Sequence, residues 1–207
     1  MNLANRVTLI RIFVIPATIV LYVLGFHVDT KLYGGIPGGM NANLGFLIAA
    51  CVVFSLAACT DFIDGNIARR THTVTSLGKF LDPIADKVLI VVTLVLLVGY
   101  DILPDPYGSI AVGLILSREF IVSALRLIAS TKGFVLAADV WGKLKTVFLD
   151  IAVGVLILAP IHWFFYYVGL GFFAVAFLLT LYSGFNYIYR NREVFSDKTP
   201  EAKGEGN

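Results

Sequence analysis

Long apolar stretches separated by short polar ones set the pattern of this chain, and charged positions inside the stretches are few. A helix needs about 20 mainly apolar residues to cross a hydrocarbon layer. That template fits at 6–27, 44–68, 79–100, 108–131, 141–162 and 166–189. The pattern therefore predicts six helices. The last two are divided only by Pro160, His162 and the aromatic run Trp163 to Tyr167, which suits a tight hairpin with an aromatic belt. Residues 28–43, with Gly34-Gly35-Ile36-Pro37-Gly38-Gly39, read as an irregular loop. The segment 196–207 reads as a polar, frayed tail, which leaves residues 1–195 as one membrane domain without internal repeats.

Composition strengthens this picture. Hydrophobic residues make up 58% of the chain and charged residues 14%, against about 25% charged in soluble domains. Mean hydropathy is +0.85. The expected class is an all-α membrane protein, a bundle of six transmembrane helices. A net charge of +2 is too small to argue for a nucleic-acid partner, and the placement of the cations says more than their sum. Arg6 and Arg11 open the first stretch, and Arg69, Arg70 and Lys79 join the second to the third. Lys132, Lys143 and Lys145 flank the next alternate link, and Arg190, Arg192, Lys198 and Lys203 follow the last stretch. The other links carry Lys31 or no cation, so both termini are expected in the cytoplasm. Arg11 interrupts the first stretch and no obvious cleavage site follows, so a removable signal peptide is not expected. Cys51 and Cys59, inside an apolar stretch and without zinc-site spacing, read as small buried hydrophobes.

The acids carry the chemistry. Asp61 and Asp64 fall near the cytoplasmic end of the second span, and Asp82 and Asp86 near the cytoplasmic start of the third. At about 100° per residue, Asp61 and Asp64 share a helical face with Gly65 and Ala68, while Asp82 and Asp86 share one with Gly78. Two helices thus offer two carboxylates each, and the small residues let the backbones approach and leave room for a ligand's phosphates. An ionised carboxylate at a span centre costs about 2.5–3.5 kcal/mol on the insertion scale, and four would repel one another. Bound cations offset both costs. A carboxylate set without His or Cys suits two hard divalent ions, Mg²⁺ or Mn²⁺, the arrangement of two-metal phosphoryl transfer. Simple capping explains Asp61 and Asp64 badly, because a helix C-terminus disfavours anions.

Asp61-Phe62-Ile63-Asp64-Gly65-Asn66-Ile67-Ala68-Arg69, then Gly78, Asp82 and Asp86, reproduces the pattern D-x2-D-G-x2-A-R-x8-G-x3-D-x3-D. In these residues the chain resembles the CDP-alcohol phosphatidyltransferases. The resemblance implies six transmembrane helices, a site facing the cytoplasm, a homodimer, and a place in the bacterial inner membrane. It further implies that Asp61, Asp64 and Asp82 ligate the metals, while Asp86 ligates the second ion and acts as catalytic base on the acceptor hydroxyl. Asp61, Gly65, Ala68, Arg69 and Gly78 would line the CDP-lipid site, with Arg69 on the pyrophosphate. The physical reading agrees, since metals polarise phosphoryl oxygens and neutralise charge on departing CMP.

The signature leaves the acceptor alcohol open, and the second half of the chain narrows it. Ser117 to Arg126, Lys132-Gly133 and Trp141 to Thr146 resemble the bacterial subfamily that joins a phosphatidyl group from CDP-diacylglycerol to sn-glycerol 3-phosphate. The opening Asn5-x2-Thr8-x2-Arg11 does too, although Ala4 stands where that subfamily usually has proline. Asn5 and Thr8 share a helical face and are candidates to border the nucleotide, against ordinary interfacial anchoring. A dianionic acceptor phosphate needs fixed cations, for which Arg118, Arg126, Lys143 and Lys145 are the candidates. Their bland alternatives are snorkelling, positive-inside marking, and for Arg118 a simple pair with Glu119. His72 and Thr75 lie in the link near the site, where a solvated role is the default. Within the family, a cardiolipin synthase or a phosphatidylinositol phosphate synthase is the alternative. From another class, a divalent-cation transporter would place its acids near the membrane midplane on broken helices, not at the ends of continuous ones.

Overall fold

The computed structural model describes residues 3–27, 43–71, 76–131 and 140–190, and within these the side chains of 13–27, 43–60, 87–126, 128–129 and 140–190. The described residues form six helices and no strand. They are α1 (Leu3–His27), α2 (Leu44–Thr71), α3 (Ser76–Gly99), α4 (Tyr107–Thr131), α5 (Val140–Ile157) and α6 (Trp163–Arg190). The expected loop at 28–42, His72, Thr75, Lys132 and the tail 196–207 lie outside the described residues. By length and composition, Tyr107–Arg126 and Trp163–Arg190 are long and apolar enough to cross a membrane. Phe13–His27, Leu44–Thr60 and Lys87–Gly99 are shorter apolar segments of α1, α2 and α3.

The helices follow the apolar pattern, and the differences have local causes. α2 runs to Thr71 and α3 begins at Ser76, because a helix continues through polar residues after its apolar stretch has ended. α5 stops at Ile157, five residues short of the apolar stretch. Pro160 disfavours helical backbone at the residue before it. The chain there tightens into bonds spanning three residues, from Leu158 N–H to Val155 O (3.0 Å) and Ala159 N–H to Leu156 O (3.0 Å). His162 then starts α6, its Nδ1 accepting the Phe164 N–H at 3.1 Å. The exposed Trp163 and Tyr167 sit side by side at this end, ring centroids 6.1 Å apart.

At the other end of α3 the chain turns on Asp101, whose φ of 55° is left-handed. Ile102 N–H reaches back to Leu97 O at 2.9 Å and Asp101 N–H to Val98 O at 3.0 Å, the paired bonds that close a helix C-terminus.

α5 and α6 make the most extensive helix pair, α1 and α2 the next, and α3 packs chiefly on α1. Gly169 permits the α5–α6 approach, since a Cβ there would lie 2.7 Å from the Leu156 side chain. The buried core joins Leu47, Phe54, Leu94, Leu97, Ile115, Val153 and Leu156 from four helices. Outward-facing side chains are also largely apolar, among them Phe13, Leu56, Phe120, Leu178 and Phe185. Apolar surface of this kind suits a hydrocarbon solvent. α4 is held differently: its apolar contacts with the core are supplemented at mid-helix by charged and hydroxyl side chains.

Candidate active site

α2 carries Asp61, Asp64, Gly65, Ala68 and Arg69 in its C-terminal turns, and α3 carries Gly78, Asp82 and Asp86 in its first half. Both segments are helical, so the i, i+3 aspartates of α2 lie on one face and the i, i+4 aspartates of α3 on another. Their rises along the helix axes are about 4.5 and 6 Å. Asn5, Thr8 and Arg11 occupy the first turns of α1, which packs against both α2 and α3. The side chains of all these residues lie outside those described. Among the described side chains, no three His, Cys, Asp or Glu come together.

Described side chains on α3 resume at Lys87, the residue after Asp86, and there a polar network begins. Lys87 Nζ donates to Ser123 Oγ on α4. Ser123 Oγ in turn donates to the Glu119 backbone oxygen at 2.6 Å, one helical turn back. The Glu119 carboxylate oxygen Oε1 receives two cations, Lys145 Nζ from α5 and Arg118 Nη1 at 2.9 Å. The other guanidinium prong, Arg118 Nη2, donates to Ser183 Oγ on α6 at 2.9 Å. Four helices thus meet in one chain of hydrogen bonds, of which those made by Lys87, Arg118 and Lys145 are of the strong, charge-assisted kind.

The network is well removed from water. Lys145 is 4% exposed, and the side chains of Arg118 and Glu119 are 12% and 22% exposed. Such charges are tolerable only when paired, because removing one partner strands the other. Gly184 makes room for the arginine: a Cβ there would lie 2.8 Å from Arg118 Cγ and 3.2 Å from its Nε. Gly184→Ala must therefore displace Arg118.

The structure separates the four cations predicted for the acceptor. Arg118 and Lys145 converge on Glu119. Arg126, two turns along α4, also faces α6: its Nε donates to Tyr187 Oη at 3.2 Å and its guanidinium carbon sits 5.3 Å from that ring's centroid. Lys143 is exposed and two residues from Lys145, so it points to the far side of α5. A small cleft of about 60 Å³ opens beside the network, with Lys87, Glu119, Lys145 and Thr146 at its polar end and Ile90 and Ile115 on its apolar wall. That volume admits a phosphate-sized group and is far below the few hundred Å³ of a whole-ligand pocket.

Sequence reasoning singled out the cations and passed over what organises them. Glu119 entered only as a neighbour that could neutralise Arg118, and Ser123 and Ser183 carried no assigned role. One signal was present: Glu119 is the sole acid in the stretch 108–131, and an isolated acid in an apolar span is costly unless it is used.

A helical bundle whose cationic network begins at Lys87, one residue beyond an aspartate motif, is suited to anionic, phosphorylated ligands. The model of the CDP-alcohol phosphatidyltransferase family matches residues 1–181, and the chain belongs to that family of enzymes. Curated relatives match over nearly their whole length. The chain is similar to the CDP-diacylglycerol–glycerol-3-phosphate 3-phosphatidyltransferase of Bacillus subtilis (strain 168), at 36% identity covering 93% of this chain and 96% of the relative. Enzymes of the same name from Rickettsia felis (35%, covering 94% and 97%) and Pseudomonas fluorescens (33%, covering 91% and 89%) are also similar.

Proposed function

We propose that this protein is a phosphatidylglycerophosphate synthase, transferring the phosphatidyl group of CDP-diacylglycerol to sn-glycerol 3-phosphate and releasing CMP. The observation that carries the acceptor assignment is the convergence of Arg118 and Lys145 in a buried network that starts one residue beyond Asp86. A neutral acceptor such as serine would have no use for two desolvated cations, whereas a phosphate dianion matches them. The names of the relatives point the same way.

In this reading, Asp61, Asp64, Asp82 and Asp86 hold two divalent cations, and their all-carboxylate chemistry fits Mg²⁺ or Mn²⁺. When bound, such ions supply Lewis-acid polarisation of the phosphoryl oxygens and neutralise charge on the leaving CMP. Arg69 orients the pyrophosphate, while Gly65, Ala68 and Gly78 keep the helix surfaces low enough for it to approach. Asn5 and Thr8 border the nucleotide. Arg118 and Lys145 hold the acceptor's phosphate, with Arg126 at the approach to it and Lys143 contributing surface charge. Asp86 takes the proton from the acceptor's first hydroxyl. The new oxygen–phosphorus bond forms as the bond to CMP breaks.

The topology that serves this chemistry is six membrane-spanning helices in a 1–195 domain, followed by a polar tail. Both termini and the site face the cytoplasm of a bacterial cell, and the unit is a homodimer. The positive-inside distribution supports the orientation.

The test is CMP release by purified protein given CDP-diacylglycerol and Mg²⁺ or Mn²⁺, with glycerol 3-phosphate, inositol phosphate, phosphatidylglycerol and serine offered separately. Turnover is expected with glycerol 3-phosphate and not with the other three. Preferential turnover with any other acceptor would overturn the assignment.

A further inference from the structure

We propose that Glu119 is a positioning residue for the acceptor, its carboxylate fixing the separation and orientation of the Arg118 and Lys145 cations. This rests on the reading that those two cations meet the acceptor's phosphate.

The geometry makes the case. Both cations contact the same carboxylate oxygen, Oε1, although they come from different helices, α4 and α5. Two like charges brought that close repel unless an anion lies between them. Among the described residues, Glu119 is the acid paired with each of them. Its main chain is fixed as well, because its carbonyl oxygen accepts the Ser123 hydroxyl that Lys87 contacts from α3. The guanidinium is then oriented from two sides, by Glu119 on one prong and by Ser183 on the other. Ser183 is itself held, its hydroxyl donating to Thr180 O at 3.3 Å.

The two cations have donors to spare for a ligand. An ammonium has three N–H bonds and a guanidinium five. Lys145 gives one contact to Glu119, and Arg118 gives one each to Glu119 and Ser183. Glu119 also leaves the pair of cations with a residual positive charge, so the site still attracts an anion. Without the carboxylate, Lys145 would have every reason to swing away from Arg118 toward water. The acceptor would then have to gather the cations itself, which weakens its binding.

The experiment is steady-state kinetics of Glu119→Gln, Lys145→Ala and the double variant, varying each substrate in turn. Glu119→Gln is expected to raise the KM for glycerol 3-phosphate about tenfold while the KM for CDP-diacylglycerol stays within about twofold. Because Glu119 acts through Lys145 as well as Arg118, adding Glu119→Gln to Lys145→Ala should cost clearly less than the about tenfold it costs alone. An unchanged acceptor KM in Glu119→Gln, or effects that multiply in full, would overturn the positioning role. If Lys145→Ala and Arg118→Ala both leave the acceptor KM unchanged, the phosphate-site reading fails first and the positioning role with it. Should Glu119→Gln not fold, Glu119→Asp gives the same readout. It keeps the charge but is one methylene shorter, so an acceptor KM raised about threefold supports the role and an unchanged one refutes it.

Discussion

Asp86→Asn is expected to lower the rate of CMP release by about 10³-fold while leaving the protein folded and able to take up CDP-diacylglycerol. The substitution keeps the size and shape of the side chain and removes its charge and its capacity to accept a proton. Asp86 lies on α3 immediately before Lys87, whose ammonium is tied to α4, so its backbone sits at the edge of the cationic network. In the proposed site, a base at this position would serve a hydroxyl whose own phosphate is held by Arg118 and Lys145. CMP release in single turnover, with thermal unfolding as a check on the fold, measures the effect. A variant retaining more than a tenth of the wild-type rate would move the base to another residue.

Arg118→Ala is expected to lower kcat/KM for glycerol 3-phosphate by about 10²–10³-fold, corresponding to the loss of one desolvated charge-assisted contact. Two deficits combine in that number: the acceptor loses a cation, and Glu119 loses one of its two partners. Arg118→Lys restores the charge but should recover little activity, because one ammonium cannot reach Glu119 and Ser183 in the planar arrangement of a guanidinium. Titrating acceptor at saturating CDP-diacylglycerol checks both variants. A lysine variant with near wild-type kcat/KM would mean that charge alone matters at this position and that the fork does not.

The six helices were legible in the sequence because each carries a long, largely apolar run set off from the next by polar or turn-forming residues. Their ends were less so, for two separate reasons. Hydropathy stops counting at the first polar residues, although α2 continues past them through Arg69 and Arg70 to Thr71. It runs on past Ile157, where Pro160 and not polarity ends α5. Within the site, the aspartate signature pointed to the family by resemblance, and the shared helical faces followed from backbone periodicity.

The acceptor cations were harder to sort. Lys143 and Lys145 look equivalent as basic residues flanking a span, yet two positions on a helix are more than half a turn apart, and only Lys145 turns inward. Glu119, Ser183 and Gly184 were hidden for a different reason. Their roles lie in contacts between α4, α5 and α6, at sequence separations of 26 for Lys145–Glu119 and 65 for Arg118–Ser183. No local pattern encodes such a meeting.

The Arg118–Glu119 pair also bears on how the chain enters a bilayer during synthesis. α4 emerges before α5 and α6 exist, so neither Lys145 nor Ser183 is present when its charges first meet hydrocarbon. Each charge alone adds about 2.5–3.5 kcal/mol to the cost of insertion at a helix centre. Adjacent in sequence and 2.9 Å apart in the folded chain, the two ions need no other helix to neutralise each other. The later helices would then dock on a helix whose charges are already balanced, so the contact proposed to position the acceptor site would also escort its own charges into the bilayer.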